Sequence, residues 1–160
     1  MAFFIQLLSF WSLLWLLSKF TLQDKLRSHR LKGRIAFSLA FSLIGVIHVI
    51  TPEKLSYMIS GLLAYPEFWV IFTGFIEIVL AVLLLIPRFQ TIAGWAIIAY
   101  LFIVFPANIR VAVENLPSPG GLPASAWYVW SRLFFQPLYM LWVYYAAIKR
   151  TKDELVSHVR

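Results

Sequence analysis

The chain of 160 residues is 61% hydrophobic and 13% charged, with a mean hydropathy of +0.81. A soluble domain of this length cannot hide so much apolar surface, and the charges gather between long apolar runs, as they do in a polytopic membrane protein. The net charge of +7 follows the ends of those runs rather than a nucleic-acid-binding stripe, so no nucleic acid is expected as a partner, and the absence of cysteine excludes disulfides and thiol relays within the chain.

The first apolar run covers residues 2–17, about 24 Å of helix against a hydrocarbon core of about 30 Å. It opens Met1-Ala2-Phe3-Phe4 instead of on basic residues and ends Leu17-Ser18-Lys19-Phe20 instead of on small ones. Residues 1–18 are therefore read as an uncleaved hydrophobic anchor helix, with a helix lying on the membrane surface as the alternative. Residues 19–33 follow as a basic cytoplasmic linker. Residues 34–148 hold four further apolar runs, at 35–50, 68–86, 91–105 and 127–148. The first ends at Thr51-Pro52, the second at Pro87-Arg88 and the third near Pro106. Between the first two, Met58, Ile59, Leu62 and Leu63 recur at helical spacing, which predicts a short interfacial helix over 53–64. Residues 116–124 are rich in Pro, Gly and Ser and predict a loop, and 149–160 form a charged cytoplasmic tail. The predicted fold is all-α, a four-helix transmembrane bundle with an additional N-terminal helix.

Alternation of the spans puts Lys19, the basic linker, Arg88 and the C-terminal tail on one side, with eleven of the fourteen Lys and Arg residues. Lys54 and Arg110 fall on the other, and Arg132 lies inside a span. Positive charge stays in the cytoplasm. The expected location is thus the cell (inner) membrane, multi-pass, with the N-terminus outside and the C-terminus cytoplasmic. Trp95 and Trp142 fall deep in their spans and are expected to be packing groups.

Ionisable and amide side chains within spans are expensive in hydrocarbon and normally face a partner, a cavity or a ligand. Helix rise puts Glu77 about 15 Å deep, Arg132 about 10 Å in from the same face with Gln136 one turn deeper, and His48 about 6 Å in. Asn108 stands at the rim after Pro106. Gly74, Glu77 and Ala81 share one helix face, and Ser38, Phe41, Gly45 and His48 share another. Small neighbours allow close helix approach, so Glu77 is expected to point inward. Arg132 is the only strong cation in that part of the core, and we expect it to pair with Glu77. His48, Glu77, Asn108, Arg132 and Gln136 are the candidate ligand-binding residues. No catalytic set, phosphate loop or metal-ligand spacing is present, and a purely structural clamp is the competing interpretation of the Glu77–Arg132 pair.

At these residues the chain resembles the DoxX-like family of small bacterial integral membrane proteins. The likeness runs from Arg34 to Tyr145 through Gly45-Val46-Ile47-His48 with Thr51-Pro52, Gly74-Phe75-Ile76-Glu77, Leu83-Leu84-Leu85-Ile86-Pro87-Arg88, Phe105-Pro106-Ala107-Asn108-Ile109, and Arg132-Leu133 with Gln136 and Trp142. The resemblance implies four membrane helices, which makes residues 2–17 an addition. It also implies a subunit without catalysis of its own or an intrinsic cofactor, since some relatives are linked to quinone-coupled sulfur oxidation or to membrane oxidative-stress complexes and others look like assembly factors. The expected function is binding of a small lipophilic, quinone-like molecule in an outer-half polar pocket, beside a membrane protein partner and within the lipid bilayer. A structural or chaperone-like assembly subunit and a small proton-coupled carrier are the alternatives.

Overall fold

The computed structural model describes residues 2–20, 28–114, 116 and 126–149. The centre of the basic linker, nearly all of the 116–124 loop and the tail beyond Lys149 lie outside the described residues. Five helices run in chain order: α1 (Ala2–Phe20), α2 (His29–Ile50), α3 (Pro66–Leu85), α4 (Gln90–Val113) and α5 (Ala126–Val143), the last continued by a π-helical turn at Tyr144–Ile148. Helices α1 to α4 are long and apolar enough to cross a membrane. On α5, which carries Arg132, the polar Ser131 and Gln136 are turned inward and buried. The protein is an all-α, multi-pass membrane protein.

Several boundaries differ from the expectation. The stretch 19–33 is not linker throughout, because α1 extends to Phe20 and α2 starts at His29, where the Ser28 hydroxyl accepts the Leu31 amide at 3.4 Å. Leu, Lys and Arg are good helix formers, and a capped start lets the helix begin in the basic segment. Thr51 closes α2, its amide and its hydroxyl both reaching the Ile47 carbonyl at 2.9 and 3.0 Å. The expected interfacial helix at 53–64 is instead two 3₁₀ turns, Pro52–Lys54 and Ser56–Met58, followed by a turn in which Gly61 holds φ 87°. Proline at the start and a left-handed glycine near the end leave too few residues for a stable α-helix. Pro106 does not stop α4, which continues to Val113. Packed membrane helices tolerate an internal proline when a neighbour satisfies the freed backbone.

One core joins all five helices, with Leu7, Ala36, Phe37, Ala40, Ala81, Ile97 and Val143 fully or almost fully enclosed. Helix α3 packs on α2 and α4, whereas α5 packs on α4 and, through its π-turn, on α2. Helices α3 and α5 therefore stand at opposite corners. Small residues set the spacing. A Cβ added at Gly45 would lie 2.7 Å from the Gly74 carbonyl, and one added at Gly74 would lie 2.7 Å from the Gly45 carbonyl. The α2–α3 crossing thus brings backbone against backbone, as the inward stripes of small residues foretell. At the other end of α2, the Trp142 indole donates to the Gly33 carbonyl at 3.1 Å. Trp95, expected to pack, is 53% exposed and stands edge-on to Tyr144 with the ring centres 6.4 Å apart. Helix α1 lays Phe3 against Phe37 and Tyr139, and Trp11 against His29. Its start thus lies beside the first half of α2, far from the His48 end.

Candidate functional site

Close approach at Gly45 and Gly74 has a direct chemical consequence. His48 follows Gly45 by one turn, Glu77 follows Gly74 by one turn, and the crossing brings the two side chains together. His48 Nδ1 and Glu77 Oε2 stand 2.9 Å apart. Both atoms are buried, yet neither makes an aligned hydrogen bond. The other carboxylate oxygen, Oε1, accepts the Tyr100 hydroxyl from α4 at 2.7 Å. Phe41 packs edge-on against the Tyr100 ring at 5.7 Å. The side chain of Glu77 is 4% exposed and that of His48 is 22% exposed. The imidazole therefore forms the accessible edge of an otherwise enclosed acid.

The expected pairing of Glu77 with Arg132 does not form. Glu77 belongs to α3 and Arg132 to α5, the opposite corners of the bundle, and α4 supplies a nearer partner to each. Arg132 instead donates to Asn108 Oδ1 at 2.7 Å. Asn108 Nδ2 donates to Gln136 Oε1 at 2.9 Å, and Gln136 Nε2 donates to the Leu101 carbonyl at 2.5 Å. This second network ties α5 to α4 beside the proline. Pro106 deprives the Phe102 carbonyl of its helical donor, and the carbonyl one residue earlier is the one Gln136 takes. Farther along, Arg110 donates through Nε to Glu114 at 2.9 Å and through Nη1 to the Ser60 carbonyl. That end is closed by Val111, Ala112 and Val129, packed with Tyr57 and Met58. Burial pushes the Tyr57 hydroxyl up from its ordinary value, and the Arg132 guanidinium partly offsets the effect.

The five sequence-derived residues thus divide into two groups. His48 and Glu77 stand together, and Asn108, Arg132 and Gln136 stand together. Tyr100 was not among the expected residues, although a mid-span tyrosine whose hydroxyl needs a partner was the available signal. Among the described residues, no group of three metal-ligating side chains converges. The chemistry available at the first group is acceptance of a hydrogen bond by Glu77 and donation or acceptance by His48, at the edge of the protein.

No curated protein and no solved structure matches the chain. A family model matches residues 37–147, which takes in most of α2, all of α3 to α5 and both polar networks, and leaves α1 outside. The chain accordingly belongs to the family described as a domain of unknown function, DUF8561.

Proposed function

We propose that this membrane protein is a non-catalytic, DoxX-like subunit that holds a small lipophilic carbonyl or hydroxyl compound, quinone-like, against His48 and Glu77. The observation that carries this reading is a pair of buried polar atoms, His48 Nδ1 and Glu77 Oε2, which face each other at 2.9 Å without an aligned hydrogen bond. The two pair with each other as ions without completing a hydrogen bond, so a ligand's polar group can compete for either atom. A quinol hydroxyl can donate to the carboxylate, and a quinone carbonyl can accept from the imidazole. The partly exposed ring offers access from the bilayer, where such a compound is dissolved. The distribution of Lys and Arg supports an inner-membrane orientation with the C-terminus cytoplasmic, which puts His48 in the outer half. Electrons would pass to or from a membrane protein partner.

The test is quinone content of the protein purified in mild detergent. His48→Ala and Glu77→Gln should lose most of the bound compound, whereas Arg132→Gln should retain it while lowering stability. Full quinone content in Glu77→Gln would remove the proposal. A second reading, a structural or chaperone-like assembly subunit, is supported by the Asn108–Gln136–Arg132 network, whose members bond one another and the backbone. That reading prevails if Glu77→Gln lowers accumulation while quinone bound per folded molecule is unchanged.

A further inference from the structure

The contacts of α1 fix its depth in the bilayer. Trp11 is the midpoint of α1, and its ring stacks on His29, the first residue of α2, with the ring centres 6.1 Å apart. The apolar run of α2 begins only at Ile35, about 9 Å further along that helix. A helix that crosses a membrane has its middle at the middle of the hydrocarbon, whereas the middle of α1 stands at the edge. The order of the contacts shows how α1 runs. Phe3 meets Phe37 at 5.6 Å, Trp11 meets His29, and Ser18 accepts from the Lys32 ammonium at 3.2 Å. A helix lying antiparallel along α2 would carry Ser18 about 10 Å past the level of Trp11, beyond the first residue of α2. Ser18 instead turns back to Lys32, so α1 crosses α2 obliquely within residues 29–37. On α5, Phe3 and Phe4 reach Tyr139 and Phe135, each at 4.7 Å. These stand one and two turns from Trp142, which bonds to Gly33, so the start of α1 touches both neighbours near the same level. From Phe37 to the end of α2 at Ile50 about 20 Å of helix remain. There Leu39, Leu43, Val46, Ile47 and Ile50 are exposed, and a helix crossing the bilayer along α2 would cover part of that surface.

We infer that α1 does not cross the bilayer but lies in the leaflet at the end where α2 starts, cytoplasmic by the distribution of Lys and Arg, with the acyl-chain layer of that leaflet as its partner. Ile5, Leu13, Leu16, Leu17 and Phe20 present apolar surface over the whole length of the helix. Near its end the Lys19 ammonium reaches back over the Trp15 ring, 3.8 Å from the centroid, and Trp and Lys are residues that anchor a helix at a membrane interface. Residue 3 then stands on the cytoplasmic side of the midplane, whereas five crossings would put it outside. The four remaining spans keep their orientation, and the reading of the His48–Glu77 pair is unaffected.

The chain has no cysteine, so one introduced cysteine takes a nitrobenzoxadiazole label at a chosen position. Dithionite does not cross a sealed bilayer and reduces only labels in the leaflet it faces. Ile50→Cys at the outer end of α2 and Leu85→Cys at the inner end of α3, both exposed, are the references. In reconstituted vesicles with unequal insertion their reduced fractions differ and are complementary. Ile5→Cys, at an exposed position near the start of α1, should be reduced to the same fraction as Leu85→Cys. Reduction to the Ile50→Cys fraction would mean that α1 crosses, and would overturn the inference. A label protected in nearly all vesicles would overturn it too, since that marks the bilayer centre. Leu8→Cys, one turn further along and also exposed, repeats the measurement with the same expectation, so failure of one variant to fold leaves the test intact.

Discussion

Replacing Gly45 by Ala tests whether the α2–α3 crossing sets the His48–Glu77 contact. The new Cβ would lie 2.7 Å from the Gly74 carbonyl oxygen, 2.9 Å from Ile78 Cγ1 and 3.1 Å from Glu77 Cβ. Ile78 can turn aside, but the carbonyl is part of a helix backbone and cannot. Ordinary contact near 3.4 Å therefore requires the helices to part by about 0.7 Å. Overpacking of this kind costs about 1–3 kcal/mol, and the better helix propensity of Ala returns about 1 kcal/mol. The net expectation is a loss of up to about 2 kcal/mol, or up to roughly 8 °C in Tm for a chain of this size. The same separation carries Glu77 away from His48, so bound quinone should fall as well. Gly33→Ala is the control. Its added Cβ meets nothing closer than Ala146 Cβ at 3.4 Å, and it should be neutral or stabilising by up to about 1 kcal/mol. Thermal unfolding and quinone content measure both variants. A Gly45→Ala protein as stable as Gly33→Ala, with its ligand intact, would refute the claim that this crossing builds the site.

Tyr100→Phe removes the donor to a buried carboxylate oxygen and should cost about 1–3 kcal/mol, measured by thermal unfolding; a neutral effect would mean that Glu77 has found another donor. Asn108→Leu and Gln136→Leu each break the second network, and because they share a hydrogen bond their unfolding free energies should be coupled by about 0.5–3 kcal/mol in a double-mutant cycle; strict additivity would argue against the network. Arg110→Met should leave global stability within about 1 kcal/mol, because its Glu114 partner has a 47% exposed side chain. The same change should speed proteolytic cleavage between residues 51 and 65, since the Ser60 carbonyl loses its tie to α4, and an unchanged cleavage rate would count against that tie.

Hydropathy was enough to read the helices, because apolar length is set by the bilayer and not by the details of packing. The inward stripes were legible too, since Gly74, Glu77 and Ala81 fall on one face at helical spacing and all three are buried. Which stripes meet was not legible. Periodicity says which face of a helix turns inward, but not which neighbour it meets, and the choice of Arg132 for Glu77 failed on that point. Pro106 was misread for a related reason. A proline takes one donor from the backbone, here the one that would reach the Phe102 carbonyl, and a packed membrane helix can run on past such a gap, as α4 does to Val113. The start of α2 was missed because charge was taken as a sign of linker, although Arg and Lys propagate helices well once Ser28 has capped one.

The division of the polar residues follows from two adjacent positions on α4. Tyr100 and Leu101 are successive residues, and one serves a neighbour with its side chain, the other with its backbone carbonyl. The Tyr100 hydroxyl turns to α3 and closes the site acid, while the Leu101 carbonyl receives Gln136 from α5. Helix α4 is thus a partition with one network on each side. That arrangement gives the two networks separate tasks. The α5 side is bonded member to member and to the backbone, the condition under which a buried polar network adds rigidity. The α3 side ends on an imidazole that is partly exposed and imperfectly aligned with its acid. The exposed edge of the imidazole, 22% of the side chain, gives a ligand a way to the α3 side. For that reason the binding role is assigned to His48 and Glu77 and the bracing role to Asn108, Arg132 and Gln136, although all five lie on the helices of the bundle and the sequence by itself ranks them alike.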